Sequence, residues 1–308
     1  MGVAELRVIC GPTAAGKSAI ALELAERYGA AIISADSRQV YQRFDIGTAK
    51  PTSEERARVR HYGIDVVDPT NRFSAALWAD GAEKWISEVQ TAGRQPVVVG
   101  GTGFYIHALF NPLFAGPGLE SARRAALQEV LRDFSVSELR RWARELDPPR
   151  AHLGRTQLLR AVETALLSGQ RISALHDAAK SDTAMPAPRF SARYLVVDPG
   201  PVLSERIEAR VDAMLNGGWV EEVEALSRSV PSDAPAWKAS GYEVLRRSTN
   251  GEIELSSARE RVIIETRQYA KRQRTWFRHQ LPPATVTRIN PDDPQASAVV
   301  REWWEKSE

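Results

Sequence analysis

The chain has 308 residues, 43% of them hydrophobic and 26% charged, and its 41 Lys and Arg nearly balance 39 Asp and Glu for a net charge of +2. This excludes a disordered or fibrous protein and supplies a core for one large domain or two modest ones. Its one cysteine, Cys10, excludes an intramolecular disulfide and fits a reducing compartment. With no signal-type leader and no run of about 18 apolar residues, neither export nor a membrane span is expected, and the location expected is cytoplasmic.

The first element read along the chain is a short strand, Leu6-Arg7-Val8-Ile9-Cys10. A complete G-x-x-x-x-G-K-S loop follows: Gly11, Pro12, Thr13, Ala14, Ala15, Gly16, Lys17 and Ser18. It opens an apolar-periodic helix, Ala19 to Leu24. Strand, glycine loop and helix together turn the pattern into a phosphate-binding site. Glycine lets successive backbone N–H groups converge on an anion, and the helix N-terminus adds a partial positive charge. Lys17 adds a full charge, and the Ser18 hydroxyl is placed to ligate Mg²⁺. The ligand expected is a diphosphate or a triphosphate.

Further apolar runs recur between helical stretches: Ala31-Ile32-Ile33, Val97-Val98-Val99 and Tyr194-Leu195-Val196-Val197. They predict an α/β fold, a P-loop NTPase-like core with a mostly parallel sheet flanked by helices. The phosphate loop, Ser34-Ala35-Asp36-Ser37 and Gly100-Gly101-Thr102-Gly103 all follow such runs, so they are expected to share one crevice at the strand ends.

From about Asn111 to Phe190 the strand signals stop. Arg123 to Asp147 reads as two amphipathic helices ending at Pro148-Pro149, Arg155 to Leu167 as another, and Ser181 to Pro188 as a Pro/Ala-rich linker. The expected organisation is therefore a core of residues 1–110 and 191–308 with a helical insertion at 111–190. Beyond it, Pro201 to Leu215 is a helix stopped by Gly217-Gly218, and a long helix runs from Ser256 to about Gln280. On that helix Arg267, Lys271, Arg274 and Arg278 are spaced 4, 3 and 4, forming a narrow basic stripe, while Val262, Tyr269 and Trp276 lie on another face. The segment from Arg259 to Arg278 holds seven Lys or Arg and two Glu, so the stripe reads as single-signed, without paired acids, and suited to a polyanion such as nucleic acid.

A nucleotide-hydrolysing or kinase site commonly has an acid ending a second apolar strand. Here Val97-Val98-Val99 runs into Gly100-Gly101-Thr102, and the acid expected in the crevice is Asp36. Asp36 could equally cap a turn. From these residues alone, a transferase acting on nucleic acid and a P-loop kinase of a nucleotide or small molecule both stand.

Several blocks in order are similar to the tRNA dimethylallyltransferase family in its bacterial form. They are Gly11–Ser18, Asp36-Ser37-Arg38-Gln39-Val40-Tyr41, Asp45-Ile46-Gly47-Thr48-Ala49-Lys50-Pro51, His61-Tyr62-Gly63-Ile64-Asp65 and Val99 to Tyr105. Arg206 to Asp212, Gly241-Tyr242 and Thr266 to Trp276 continue the series. The Cys/His zinc finger of eukaryotic members has no counterpart here.

The resemblance implies transfer of a dimethylallyl group from its diphosphate to N6 of the adenosine just 3′ of the anticodon. The P-loop would then hold the donor diphosphate, with Mg²⁺ on Ser18 as cofactor. By resemblance Thr102 and Arg210 stabilise the departing diphosphate, and Asp36 accepts the proton of the adenine amine. Ser37, Arg38, Gln39, Thr102, Arg124 and Thr156-Gln157-Leu158-Leu159-Arg160 are implied tRNA contacts, as is Asp36 itself. The basic stripe of Arg267, Lys271 and Arg274 would meet phosphates, which makes tRNA affinity salt-sensitive. A monomer is expected. From spacing alone Arg206 and Arg210 read as an ion-paired surface, and His61 as a residue packed before a strand at Ile64. Two departures from the family pattern are Ala151-His152-Leu153-Gly154, in place of a His-Pro-Asn-Asp turn, and Glu243, where a basic residue is usual.

Overall fold

The apolar runs fold as strands of a single sheet. In the computed structural model, which describes residues 4–111, 117, 119–181 and 190–306, the first half contains β1 (Ala4–Cys10), α1 (Lys17–Tyr28), β2 (Ala31–Ser34), α2 (Ser53–Arg58), β3 (His61–Tyr62), α3 (Ala75–Thr91), β4 (Pro96–Gly100) and α4 (Gly103–Phe110). Four helices follow, α5 (Ser121–Leu131), α6 (Val136–Leu146), α7 (Arg155–Ser168) and α8 (Ile172–Ser181). The remainder is β5 (Phe190–Val197), α9 (Leu203–Asn216), α10 (Trp219–Ser227), α11 (Tyr242–Thr249), α12 (Leu255–His279), β6 (Val286–Ile289) and α13 (Ala296–Glu305). Residues 182–188 of the expected linker lie outside the described residues.

The six strands are parallel, in the order β3-β2-β4-β1-β5-β6. Helices cover both faces, which is why Val8, Ile9, Val97, Val98 and Leu195 can all be fully buried, without polar alternation. α1 buries Ala21, Leu24 and Ala25, at helical spacing, against this sheet. Trp303 and Trp304 of α13 join the same core, and Arg7 donates to the Trp304 carbonyl. Cys10 is buried in β1, and burial pushes its thiol up to about 12, so it packs rather than reacts.

One strand is displaced from its expected position and another escaped the sequence pattern. β3 has only two residues, His61 and Tyr62, so the strand expected at Ile64 lies two positions earlier. β6 alternates Val, Thr, Arg and Ile behind Pro282-Pro283, and only its last residue is buried. An edge strand of that length carries too little apolar signal to be seen.

The chain divides into two compact units, residues 1–111 with 188–308, and residues 112–187. In the second unit Leu131, Leu139, Ala143, Leu158 and Val162 form the core. A Ser135/Glu138 capping box starts α6, and the buried Asp147 accepts from the backbone and hydroxyl of Ser173, tying in α8, which the sequence reading had not separated.

This core corrects one implied RNA contact. Leu158 is fully buried, so it packs inside the unit, and Leu159 is half-buried against the same cluster. Thr156, Gln157 and Arg160 are exposed, although the Gln157 side chain also caps its own helix through the Gly154 N–H. Arg124 is ion-paired with the buried Glu163, which Gln128 also bonds, so its charge is already committed within the unit. Leu158→Ala should cost about 2–5 kcal/mol of stability, the usual range for a buried leucine. Thr156→Ala should cost under about 0.5 kcal/mol, as exposed positions do. Urea unfolding followed by far-UV circular dichroism measures both.

Candidate active site

β2, β4 and β1 are adjacent in the sheet, so the turns leaving their carboxyl ends meet. Between them lies a cavity of about 390 Å³. Thr13, Ala14, Ala15, Gly16, Lys17 and Ser18 line one side, Asp36, Arg38 and Gln39 another, with Gly100, Gly101 and Arg210 closing the polar part. Leu22, Ile32, Ile207, Val211, Met214 and Trp219 supply an apolar lining. The shared crevice expected from the three turns is therefore present.

The phosphate loop takes its shape from its glycines. Gly11 has φ +145°, and a Cβ there would stand 2.2 Å from the Val197 carbonyl oxygen, so the loop can leave β1 this close to β5 only as glycine. Gly16, at φ +93°, starts α1. Gly11 and Pro12 support the loop from behind, with the Pro12 carbonyl accepting from Lys17 Nζ at 2.6 Å. Ser18 lies in the first turn of α1 and faces the cavity.

Two cations share this space. Burial, and then the nearby Arg210 guanidinium, pull Lys17 down to about 8, against the attraction of Asp36. Burial likewise holds Arg210 below its ordinary value, with Asp36 acting the other way. Arg206 and Arg210, which spacing alone could not separate, thus divide: Arg206 pairs with Asp292 at the surface, while Arg210 turns into the cavity.

Asp36 combines both of its sequence readings. Its Oδ1 accepts from the Arg38 N–H at 2.8 Å and the Gln39 N–H at 3.4 Å, holding the turn. Oδ2 makes no hydrogen bond among the described residues. The Thr102 hydroxyl accepts from the Ser37 N–H at 3.0 Å and lies 3.3 Å from Ser37 Oγ, while Tyr269 of α12 also bonds it. Thr102 therefore braces the Asp36 turn from β4.

Gln39 differs from its implied part in RNA contact, because its amide is used internally. It accepts from Ser34 Oγ at 2.8 Å and donates to the carbonyls of Thr48 and Ala49. The segment from Asp45 to Lys50 is held just as tightly. The buried Lys50 donates to the Tyr41 carbonyl, Asp45 and Asp65. Glu222 accepts from the Asp45 and Ile46 N–H groups and from the Tyr242 hydroxyl, which itself accepts from the Gly47 N–H.

The basic stripe is not free of acids. Arg267 pairs with Glu208 at 3.1 Å, and Arg274 with Asp198 at 2.5 Å, donating also to the Gly200 carbonyl. The paired acids come from α9 and from the residue after β5, positions far away in sequence. Lys271 and Arg278 are exposed and unpaired among the described residues. Asp198 also revises the strand-end reading: an acid does end a strand beside β1, but Arg274 and the Gly200 N–H occupy it, and it does not line the cavity.

A family model described as IPP transferase matches residues 39–280, and one described as Isopentenyl transferase matches residues 4–70. The chain belongs to the IPP transferase family. The tRNA dimethylallyltransferase of Geobacter metallireducens is 40% identical over 279 residues, 89% of each chain. That of Cyanothece sp. is 37% identical over 294 residues, 94% of this chain and 93% of the relative. The solved tRNA isopentenylpyrophosphate transferase of Bacillus halodurans superposes with a TM-score of 0.68 at 33% identity, covering 97% of this chain and 94% of that one. A eukaryotic dimethylallyltransferase acting on tRNA, 24% identical, shares the fold with a TM-score of 0.76 over 96% of this chain and 77% of its own.

Within this IPP transferase, two cavity residues carried no individual signal in the sequence reading. Gln273 and Thr266 line the cavity beside Val262 and Tyr269, all on one face of α12 at spacings of 4, 3 and 4. Polar residues recurring on an otherwise inward-facing stripe were the available clue.

The depressed Lys17 gives a pH prediction. A lysine is cationic below its pKa, so its charge is present at pH 7 and lost as pH rises through about 8. An alkyl diphosphate completes its own ionisation near about 6. Its affinity in metal-free buffer should therefore weaken between pH 7 and 9. Lys17→Arg should flatten that limb in calorimetric titrations, because a guanidinium stays charged.

Proposed function

We propose that the protein transfers the dimethylallyl group of dimethylallyl diphosphate to N6 of the adenosine immediately 3′ of the anticodon in tRNA, releasing diphosphate. The observation that carries this reading is the single cavity in which a phosphate loop, two desolvated cations and the Asp36 carboxylate meet beside an apolar lining. Family membership and the names of its relatives support it.

In this reading the loop N–H groups, Lys17 and Arg210 bind the donor diphosphate and take up the charge that grows on it as the allylic C–O bond breaks. The apolar lining accommodates the five-carbon group and excludes water, which would otherwise compete as nucleophile. The N6 lone pair forms the new bond to carbon, and the N6 proton passes to Asp36 Oδ2, the oxygen left open while Oδ1 holds the turn. Thr102 keeps that turn in place; it stands behind the cavity lining, so its role toward the leaving oxygen rests on the family resemblance.

Among the described residues no group of three or more His, Cys, Asp or Glu could hold a metal ion. A cation borne chiefly by the diphosphate, with Ser18 as its protein ligand, fits that donor set. When bound, Mg²⁺ would neutralise charge on the departing diphosphate.

The target base is stacked in its loop and must turn out to reach Asp36. Asp36, Ser37 and Arg38 would meet it. Exposed Thr156, Gln157, Arg160 and Lys271 would meet other parts of the RNA, with Arg267 available by exchange of its half-exposed, screened pair. We assign the enzyme to the cytoplasm, as a monomer. No helix among the described residues is long and apolar enough to cross a membrane.

Incubation with labelled dimethylallyl diphosphate, ATP and unmodified tRNA tests the reading. Label on adenosine supports it, whereas phosphate transfer from ATP selects a kinase. Asp36→Asn should lower kcat by about 10²–10⁴-fold, the worth of a positioned base. Arg210→Ala should lower it by about 10²–10³-fold, the usual cost of one charge-stabilising donor. Near-normal turnover in either folded variant would refute that residue's role.

A further inference from the structure

Beyond Cys10 and Gly100, where the β1–β4 ladder ends, the phosphate loop and the β4 turn separate. Past that point, the hydrogen bonds that join them among the described residues both run through one side chain, Gln273 of α12. Its Oε1 accepts from the Thr13 N–H at 2.8 Å, and its Nε2 donates to the Gly101 carbonyl at 2.9 Å. The amide is buried, and its orientation is fixed by its partners, since an N–H must face the oxygen and a carbonyl must face the nitrogen. Gly101 makes room for it: a Cβ there would stand 2.2 Å from Nε2. Glutamate could not donate to the carbonyl, and lysine or arginine could not accept from the N–H.

The β4 turn is in turn locked to the Asp36 turn. The Thr102 N–H donates to the Ala35 carbonyl at 3.1 Å, the Ala35 N–H donates to Val99, and the Thr102 hydroxyl holds the Ser37 N–H. Gly100 approaches Ala35 so closely that a Cβ would lie 2.2 Å from its carbonyl oxygen. Asp36 and the β4 turn thus move as one body, and Gln273 is the side-chain strap from that body to the anion loop.

We infer that Gln273 is a positioning residue that sets the separation between the diphosphate cradle and Asp36. The inference rests on the transfer reading above, in which nucleophile, carbon and leaving oxygen must line up. The loop keeps its own supports without Gln273, namely the Gly11–Val197 packing and the Lys17 bond to Pro12. Loss of the strap should therefore spare anion binding and spoil alignment. A misplacement of about 1 Å costs about 10²-fold in rate.

Gln273→Met, similar in volume and able to make neither bond, should lower kcat at saturating tRNA and donor by about 10²-fold, with diphosphate affinity within about threefold of wild type. Gln273→Glu keeps the shape and the bond to Thr13 but loses the donor to Gly101, so its kcat should fall too. It decides the matter if Gln273→Met does not fold. A folded variant with kcat within threefold of wild type would overturn the inference, as would a loss recovered entirely by raising donor concentration. Wild-type protein that places no label on adenosine refutes the transfer reading and this inference together. Wild-type transfer matched by Gln273→Glu refutes this inference alone.

Discussion

Lys17 and Arg210 are held, desolvated, toward the same cavity, and the rest of the site follows from that electrostatic excess. Like charges at close range in a low-dielectric space repel, and burial deprives them of hydration. The result is a lysine pulled to about 8 and an arginine held below its usual value. One cavity carboxylate, Asp36, acts against both shifts. A polyvalent anion would reverse the balance by giving each cation a partner at once, which is what the proposed diphosphate supplies. In the proposed transfer, the same excess would take up negative charge developing on a leaving group, the property that bond cleavage to an allylic carbon needs.

The opposite wall is built for fixity rather than charge. Gln39, Lys50, Glu222 and Tyr242 bind the backbone from Tyr41 to Ala49 through bonds that leave little freedom. Burying Lys50 between Asp45 and Asp65 gains little net stability, since desolvation offsets the attraction. What such a network does confer is one shape in preference to nearby alternatives. Gly47 shows how narrow that shape is: a Cβ there would fall within 2.2 Å of the Trp219 ring. In the proposed reading, a base turned out of its stack would meet a preformed surface, leaving little ordering cost for the moment of binding.

Legibility in the sequence followed the range of the interactions. The phosphate loop, the four apolar runs and the helix stop at Gly217 are local signals, and all appear where expected. Leu158 was misplaced because the resemblance assigned Thr156 to Arg160 as one stretch of contacts, without saying which of them face inward. Only the packing of α7 on α5 and α6 shows that Leu158 is core while Thr156 is surface. Arg267 and Arg274 looked unpaired because Glu208 and Asp198 are 59 and 76 positions away. Gln273 was missed for a similar reason, as its partners Thr13 and Gly101 are 260 and 172 positions distant. Sequence patterns report helix faces well, but they carry no information about which distant backbone groups a buried amide will satisfy.

The strand order explains why a phosphate-loop fold can serve transfer to a base. β1 lies between β4 and β5, so either neighbour could deliver an acid to the loop. β5 does end in one, Asp198, but Arg274 and the Gly200 N–H draw its carboxylate away from the cavity. β4 ends in glycines, and behind β4 stands β2 with Asp36. Two acids line the cavity: Glu55, which caps α2 through the Thr52 N–H, and Asp36, which comes from two strands away rather than from the strand beside the loop. In the proposed transfer, that extra strand spacing, about 4.8 Å, would leave room for a carbon chain and an amine between the anion and the carboxylate.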